Sequence, residues 1–269
     1  MFETHAVTEA APGRPNEDFY LMAADWLIVL DGVAATPGQA NGCIHGVRWF
    51  VGRLGARLAT TLATGTDESL KDVLANAITE TMSDHGPQCD LSKPLTPAAT
   101  VAIVRQAAEQ IDWLALGDVT VAWQLSDGTT DSFTDNRLDL LPNAPIIVAD
   151  VRRYDPEYVI TVRNTPGGFW VAAADPAAAY EAITGSVALD QAQTLAVFTD
   201  GLARLAERYG HQWRDVFELA HVKGMRALVD QLRQDEIADP DPTRWRGKLH
   251  DDATGILWRR VGKPSKPPS

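Results

Sequence analysis

The chain has 269 residues, 45% of them hydrophobic, which is enough for a sizeable core. With 36 acidic against 24 basic residues the formal net charge is -12, which disfavours a nucleic-acid backbone or an anionic membrane as partner and favours small cations. The two cysteines, Cys43 and Cys89, lie far apart without a CxxC spacing, so no disulfide framework is expected and a reducing, cytoplasmic compartment fits.

In chain order, "MFETHAVTEAAPGRPNED" lacks a basic start followed by an apolar core, and no run approaches the roughly 20 apolar residues of a bilayer span, so neither export nor insertion is expected. Short β-rich runs ending in turn residues predict strands at "FYLMAA", "WLIVL", "TVAIVRQ", "IDWLALG", "VTVAWQLSDGTT", "TLAVFTDG" and "ATGILWRR". After "WLIVLDGV", the segment "NGCIHGVRWFVGRLGARLATTL" places Ile44, Val47, Phe50, Val51, Leu54, Leu58 and Leu62 at helical spacing. "DESLKDVLANAITETM" predicts a second helix, with Leu70, Val73, Leu74, Ala77 and Ile78 on one face, that pairs with the first. "DHGPQCDLSKPLTPA" reads as a loop and Asp127-Gly128 as a two-residue hairpin turn. "WRDVFELAHV" and "MRALVDQLRQDEIA" read as two further helices, broken around Gly224. Helices clustered between groups of strands point to a mixed, layered domain containing antiparallel sheet. No repeat or biased linker marks a second domain, so residues 1–260 are expected to form one unit and the Lys/Pro-rich residues 261–269 a disordered tail.

Four acidic features adjoin predicted strands: Glu17 and Asp18 in "RPNEDFY", Asp31 in "IVLDG", Asp200 in "FTDG", and Asp251 with Asp252 in "KLHDDATGILW". Each has an ordinary reading as a turn or cap at a strand end. If Asp31, Asp200 and Asp251 converge without cations, like charges repel in a poorly solvated cleft and at least one must take up a proton; metal ions remove that conflict. Oxygen donors suit magnesium or manganese, and no His/Cys cluster neighbours the acids in sequence, so a dedicated zinc site is not expected. Two such ions about 3.5–4 Å apart could hold and deprotonate a bridging water for in-line attack on phosphorus.

The order "RPNED", "VLDG", "LALGD", "FTDG", then "HDDAT" before the terminal strand resembles the metal-dependent protein phosphatases of the PPM (type 2C) family, particularly its compact bacterial members, from about Gly13 to Trp258. The resemblance implies an α+β fold, an α-β-β-α sandwich of two mainly antiparallel sheets flanked by helices. It also implies two Mn2+ or Mg2+ ions and a monomeric serine/threonine phosphatase that hydrolyses phosphoserine or phosphothreonine proteins through a metal-bridged water or hydroxide. Asp31, Asp200 and Asp251 would be the catalytic centre, with Asp31 bridging both ions, the Gly32 carbonyl on the second ion, and Asp200 and Asp251 completing the ligands of the first ion. Glu17 or Asp18 would hold metal-bound water, and Arg14 would bind the substrate phosphate through its planar fork of donors. Gly117 and Asp118 match a structural strand turn of the family.

The chain departs from that pattern in three places. Val33 stands where a histidine acid is often proposed, Arg14 is one residue nearer the Glu-Asp pair than usual, and no acid precedes "TPAATVAIV", where some bacterial members hold a third metal. The altered turn and the shifted arginine motivate an alternative, a catalytically weakened PPM-fold protein that binds a phosphorylated partner or acts as a scaffold. Among other residues, His45 is expected to pack on the first helix, His85 and Cys89 to sit in a surface loop short of a four-ligand zinc site, and His250 to be an exposed loop residue. The tryptophans, including Trp26, Trp49, Trp113 and Trp170, read mostly as core.

Overall fold

The strand Trp26–Val33 shows how the layers arise. Side chains alternate along a strand, so Leu27 and Val29 enter one apolar cluster while Ile28 and Leu30 enter another on the opposite face, and all four are fully buried. A strand buried on both faces needs a layer on each side. The structure, a computed structural model, describes residues 2–33, 41–148 and 151–261.

In chain order the strands are β1 (Phe2–Glu9), β2 (Phe19–Met22), β3 (Trp26–Val33), β4 (Ala98–Gln106), β5 (Gln110–Leu116), β6 (Thr120–Leu125), β7 (Thr130–Thr134), β8 (Ile146–Val148), β9 (Val151–Arg153), β10 (Ile183–Ala188), β11 (Ala192–Phe198) and β12 (Ala253–Arg260). The helices are α1 (Val47–Leu62), α2 (Leu70–Ser83), α3 (Pro156–Val162), α4 (Asp200–Glu207), α5 (Trp213–Lys223) and α6 (Arg226–Ala238). One five-stranded sheet runs β1-β12-β11-β6-β7 and the other β10-β5-β4-β3-β2, with antiparallel pairing throughout.

Leu27, Val29, Val104 and Trp113 of one sheet meet Val121, Leu195, Val197, Ile256 and Trp258 of the other to form the central core. Ile28, Leu30 and Ile103 pack outward on Phe50, Leu54 and Leu58 of α1 and on Val73, Leu74 and Ile78 of α2. Phe198 and Leu257 pack on Leu202, Phe217, Leu228 and Leu232 of α4, α5 and α6. Each fully buried Leu or Ile contributes about 1.5–3 kcal/mol relative to exposure, so the two helical layers are held mainly by these faces. The order is helix, sheet, sheet, helix, as the α+β sandwich expectation requires.

The predicted strands and helices are all present, with differences at their ends. α1 starts only at Val47, because Gly46 has extended backbone at the N-cap; Ile44 is exposed, and His45 precedes the helix and stacks on Trp49 in its first turn. The strand-end turn read in "FTDGL" is the first turn of α4. β1 and β10 escaped the pattern because "FETHAVTE" and "ITGSVA" are polar at every second or third position and sit at sheet edges. The Asp127-Gly128 hairpin joins β6 to β7, with Gly128 at φ 87°. The turn residues 34–40 after the first Asp-Gly pair and the tail from residue 262 lie outside the described residues. Among the described residues no helix is long and apolar enough to cross a membrane.

Candidate active site

Two Asp-Gly pairs mark where the sheets present their acids. Asp31 follows five buried residues of β3, and Asp200, with only Thr199 between it and the end of β11, is the first residue of α4. A Cβ on Gly201 would lie 1.9 Å from the Asp252 carbonyl oxygen, so only glycine lets the start of α4 meet the start of β12. A Cβ on Gly32 would lie 2.3 Å from Val47 Cγ1 and 2.5 Å from the Glu17 carbonyl oxygen, so the loop carrying Glu17 and Asp18 closes on β3 for the same reason. Both glycines are close-approach positions, beyond their use in turns.

Asp251 and Asp252 divide two tasks. The Ala11 and Glu17 N–H groups donate to Asp252 Oδ1 (2.7 Å) and Oδ2 (2.8 Å), so this buried carboxylate fixes the Glu17-Asp18 loop. Asp251 lines a cavity of about 310 Å³ together with Glu17, Asp31, Gly32, Asp118 and Asp200. Arg204 Nη2 donates to Asp251 Oδ2 (2.9 Å) and Lys248 Nζ to Oδ1 (3.0 Å). Arg204 is buried and is itself held by Glu236 Oε1 at 3.2 Å. His250, expected to be exposed, is half-buried and donates from Nδ1 to Glu236 Oε2 at 2.6 Å, so it braces the same network.

The electrostatics show how close the acids are. Burial, followed by the charges of Asp18, Asp200, Asp251 and Asp118, holds the Asp31 carboxyl well above the usual carboxylate range. Burial also pushes Asp18 up to about 8, although Thr254 and Thr199 oppose it, Thr199 Oγ1 donating to Asp18 Oδ2 at 3.0 Å. Asp118 rises to about 6 through burial and the Asp200 charge, against Arg246 Nη2 at 3.2 Å. Burial and Asp200 raise Asp251, and burial raises Glu17. Asp200 runs the other way: burial alone would raise it, but Arg204, Arg208, Arg246 and a hydrogen bond from Asp31 bring it below the ordinary range. Burial and its acid neighbours thus favour the neutral form of Asp31, while the surrounding arginines favour the charged form of Asp200.

The predicted residues are therefore distributed unevenly. Asp31, Gly32, Asp200, Asp251 and Glu17 line one cavity, and Asp18 sits behind them, near enough to act on Asp31. Arg14 is exposed on a turn outside the lining and acts on the Glu17 carboxylate from there. Sequence reasoning missed Asp118, taken for a turn residue, although "LALGD" repeats the strand-then-acid pattern of the other two. It also missed Lys248 and Arg246, which lie in an irregular segment and carry no periodic signal.

The acid cluster fits divalent cations on its own chemistry. Its donors are all oxygens, its charges repel, and Asp18 Oδ1 is a buried oxygen with no hydrogen-bond partner among the described residues. The family model of protein phosphatase 2C matches residues 8–233. No curated protein is significantly similar to the chain in sequence. Among solved structures, the chain is similar to the serine/threonine phosphatase Stp1 from Staphylococcus aureus (TM-score 0.58, 13% identity, covering 97% of this chain and 96% of that one). It is similar also to the catalytic domain of the serine/threonine protein phosphatase PstP, solved with two manganese ions (TM-score 0.55, 16% identity, 96% and 97% covered). A sex-determining protein of C. elegans has the same fold over 96% of this chain (TM-score 0.59, 11% identity), and the chain spans 64% of that protein. The chain belongs to the protein phosphatase 2C family and is a metal-dependent protein phosphatase.

Proposed function

We propose that the chain hydrolyses phosphoserine and phosphothreonine in proteins, with two Mn2+ or Mg2+ ions held by Asp31, the Gly32 carbonyl, Asp200 and Asp251, and with Glu17 or Asp18 holding metal-bound water. The observation that carries this reading is the convergence of Asp18, Asp31, Asp118, Asp200 and Asp251, acids from distant segments that cannot all be ionised in a buried pocket unless cations offset them. Bound divalent ions supply a hydroxide at neutral pH and offset charge on phosphoryl oxygens.

The chain's own groups do the rest. Asp31, whose neutral form burial and its acid neighbours favour, would hold a cation as the carboxylate, releasing its proton to solvent. Arg204, anchored on Glu236, fixes the rotamer of Asp251. Asp252 fixes the Glu17-Asp18 loop through two backbone N–H groups. Lys248 in the lining and Arg14 on the rim turn are the cations offered to a substrate phosphate, Arg14 through its planar fork.

A monomeric, cytoplasmic protein acting on phosphoproteins, with residues 1–260 as its single domain, agrees with the net charge of -12 and the absence of an apolar spanning helix among the described residues. No observation favours the weakened binding module, since every acid of the proposed centre is present. The test is phosphate release from phosphoserine, phosphothreonine and phosphotyrosine peptides and from small phosphate esters, by the wild-type chain and by Asp200→Asn. Release from the first two peptides that Asp200→Asn abolishes supports the reading; a preference for a small ester would move the substrate class.

A further inference from the structure

A second set of donors lies outside the acid pocket. The ligand atoms of Cys43, His45, His85 and Cys89 all lie within 4.8 Å of one another, and both thiols are free. Cys43 Sγ and Cys89 Sγ are 3.5 Å apart, and His45 Nδ1 is 3.5 Å from each sulfur. A tetrahedral zinc ion, with bonds of about 2.3 Å to sulfur and about 2.0–2.1 Å to nitrogen, needs such ligands about 3.3–3.8 Å apart. The sequence expectation of a plain surface loop, with no zinc site, does not anticipate this meeting of His85 and Cys89 with Cys43 and His45.

The surroundings already orient the donors. His85 Nδ1 lies 3.0 Å from the Thr81 carbonyl oxygen and donates to it, which leaves Nε2 with the lone pair a metal requires. The His45 N–H donates to Cys43 Sγ at 3.3 Å, a contact that favours a thiolate. Trp49 stacks on the His45 ring at 3.9 Å and meets His85 edge-on at 4.7 Å, fixing both imidazoles. The backbones are tied as well, the Asp90 N–H donating to the Gly42 carbonyl at 2.6 Å.

We propose that Cys43, His45, His85 and Cys89 form a structural zinc site. Two sulfurs and two imidazole nitrogens select zinc over the hard ions of the acid pocket, and four protein ligands leave no open position for catalysis. Both cysteines bind as thiolates and release their protons to solvent, while both histidines bind neutral. The site lies just before α1 and just after α2, helices joined at their other end by residues 63–69, so the ion clasps the open end of a helical hairpin. α1 carries Val47 against Gly32, which links the clasp mechanically to the strand that presents Asp31.

The experiment is metal analysis of the full chain purified without added metal, followed by cobalt reconstitution. One zinc per chain is expected, retained by Asp31→Asn and lost by Cys43→Ser and by Cys89→Ser. Those two variants should also unfold at least about 5 °C lower. Cobalt in the wild-type chain should give thiolate-to-cobalt charge transfer and intense tetrahedral ligand-field bands, which decides the matter even if the variants fail to fold. Wild-type chain with neither zinc nor these bands would overturn the proposal. So would zinc that disappears with Asp31→Asn and not with the cysteine variants, or a Cys43–Cys89 disulfide in protein purified without oxidant.

Discussion

The acid pocket and the Cys/His cluster stand at either end of one stretch of chain, Asp31 before residues 34–40 and Cys43 after them, and they solve opposite problems. The pocket gathers oxygens from β3, α4 and three loops, and burial makes their charges hostile to one another. The cluster gathers neutral sulfur and nitrogen donors from two short segments, already arranged by hydrogen bonds and a tryptophan. A site that is strained without its ion stores electrostatic demand for chemistry; a site that is relaxed without its ion is suited to holding structure. Loss of metal should therefore remove activity at the first and stability at the second.

The largest effect expected is at Asp31. Asp31→Asn removes a charge central to the pocket and should lower kcat/KM by about 1000-fold, equivalent to about 4 kcal/mol of transition-state stabilisation, while the Cys43→Ser variant that still folds keeps its manganese dependence. Equal activity losses in the two would erase the contrast. Arg204 comes next: it is buried against Glu236 and Asp251, and Arg204→Ala removes the guanidinium that joins these two acids. Chemical denaturation should show a loss of about 3–5 kcal/mol, and an unchanged midpoint would refute the bracing role.

Acid-base behaviour sharpens the electrostatic half. Burial raises the Asp18 carboxyl of the metal-free protein to about 8 from an ordinary 3.8. The folded state therefore holds the proton more tightly than the unfolded one, and the associated stability is complete below the unfolded value and lost as pH rises towards about 8. The thermal midpoint without metal should decline over that window, and manganese should flatten the decline. A metal-free midpoint that rises across it would contradict the crowding of these acids. The smallest effect is at Arg14, where Arg14→Ala should raise KM for a phosphopeptide about tenfold with kcat little changed. A fall in kcat with KM constant would place that arginine elsewhere in the cycle.

Much of this was legible in the residues. The layers followed from the short apolar runs "WLIVL" and "TVAIVRQ" and from the helical spacing of Val47 to Leu62, because strands covered on both faces and helices covered on one need those patterns. Asp31, Asp200 and Asp251 were legible as strand-end acids in a recognisable order. Asp118 was not, since the same Gly-Asp pair serves ordinary turns and only packing shows which way the carboxylate faces. Lys248 and Arg204 were invisible because their meaning lies in contacts with Asp251, made from an irregular segment and from a helix read as a turn. The Cys/His cluster was hidden for a topological reason: Cys43 and Cys89 are separated by two helices, and only the antiparallel packing of α1 on α2 brings the flanking segments together.

The most direct test is a manganese titration of phosphate release from a phosphothreonine peptide by the wild-type chain, first stripped with a chelator. The pocket described here predicts no release from the stripped protein and a return to full rate as manganese fills the acid site. Release that survives the chelator, or that manganese and magnesium both fail to restore in folded protein, would contradict it.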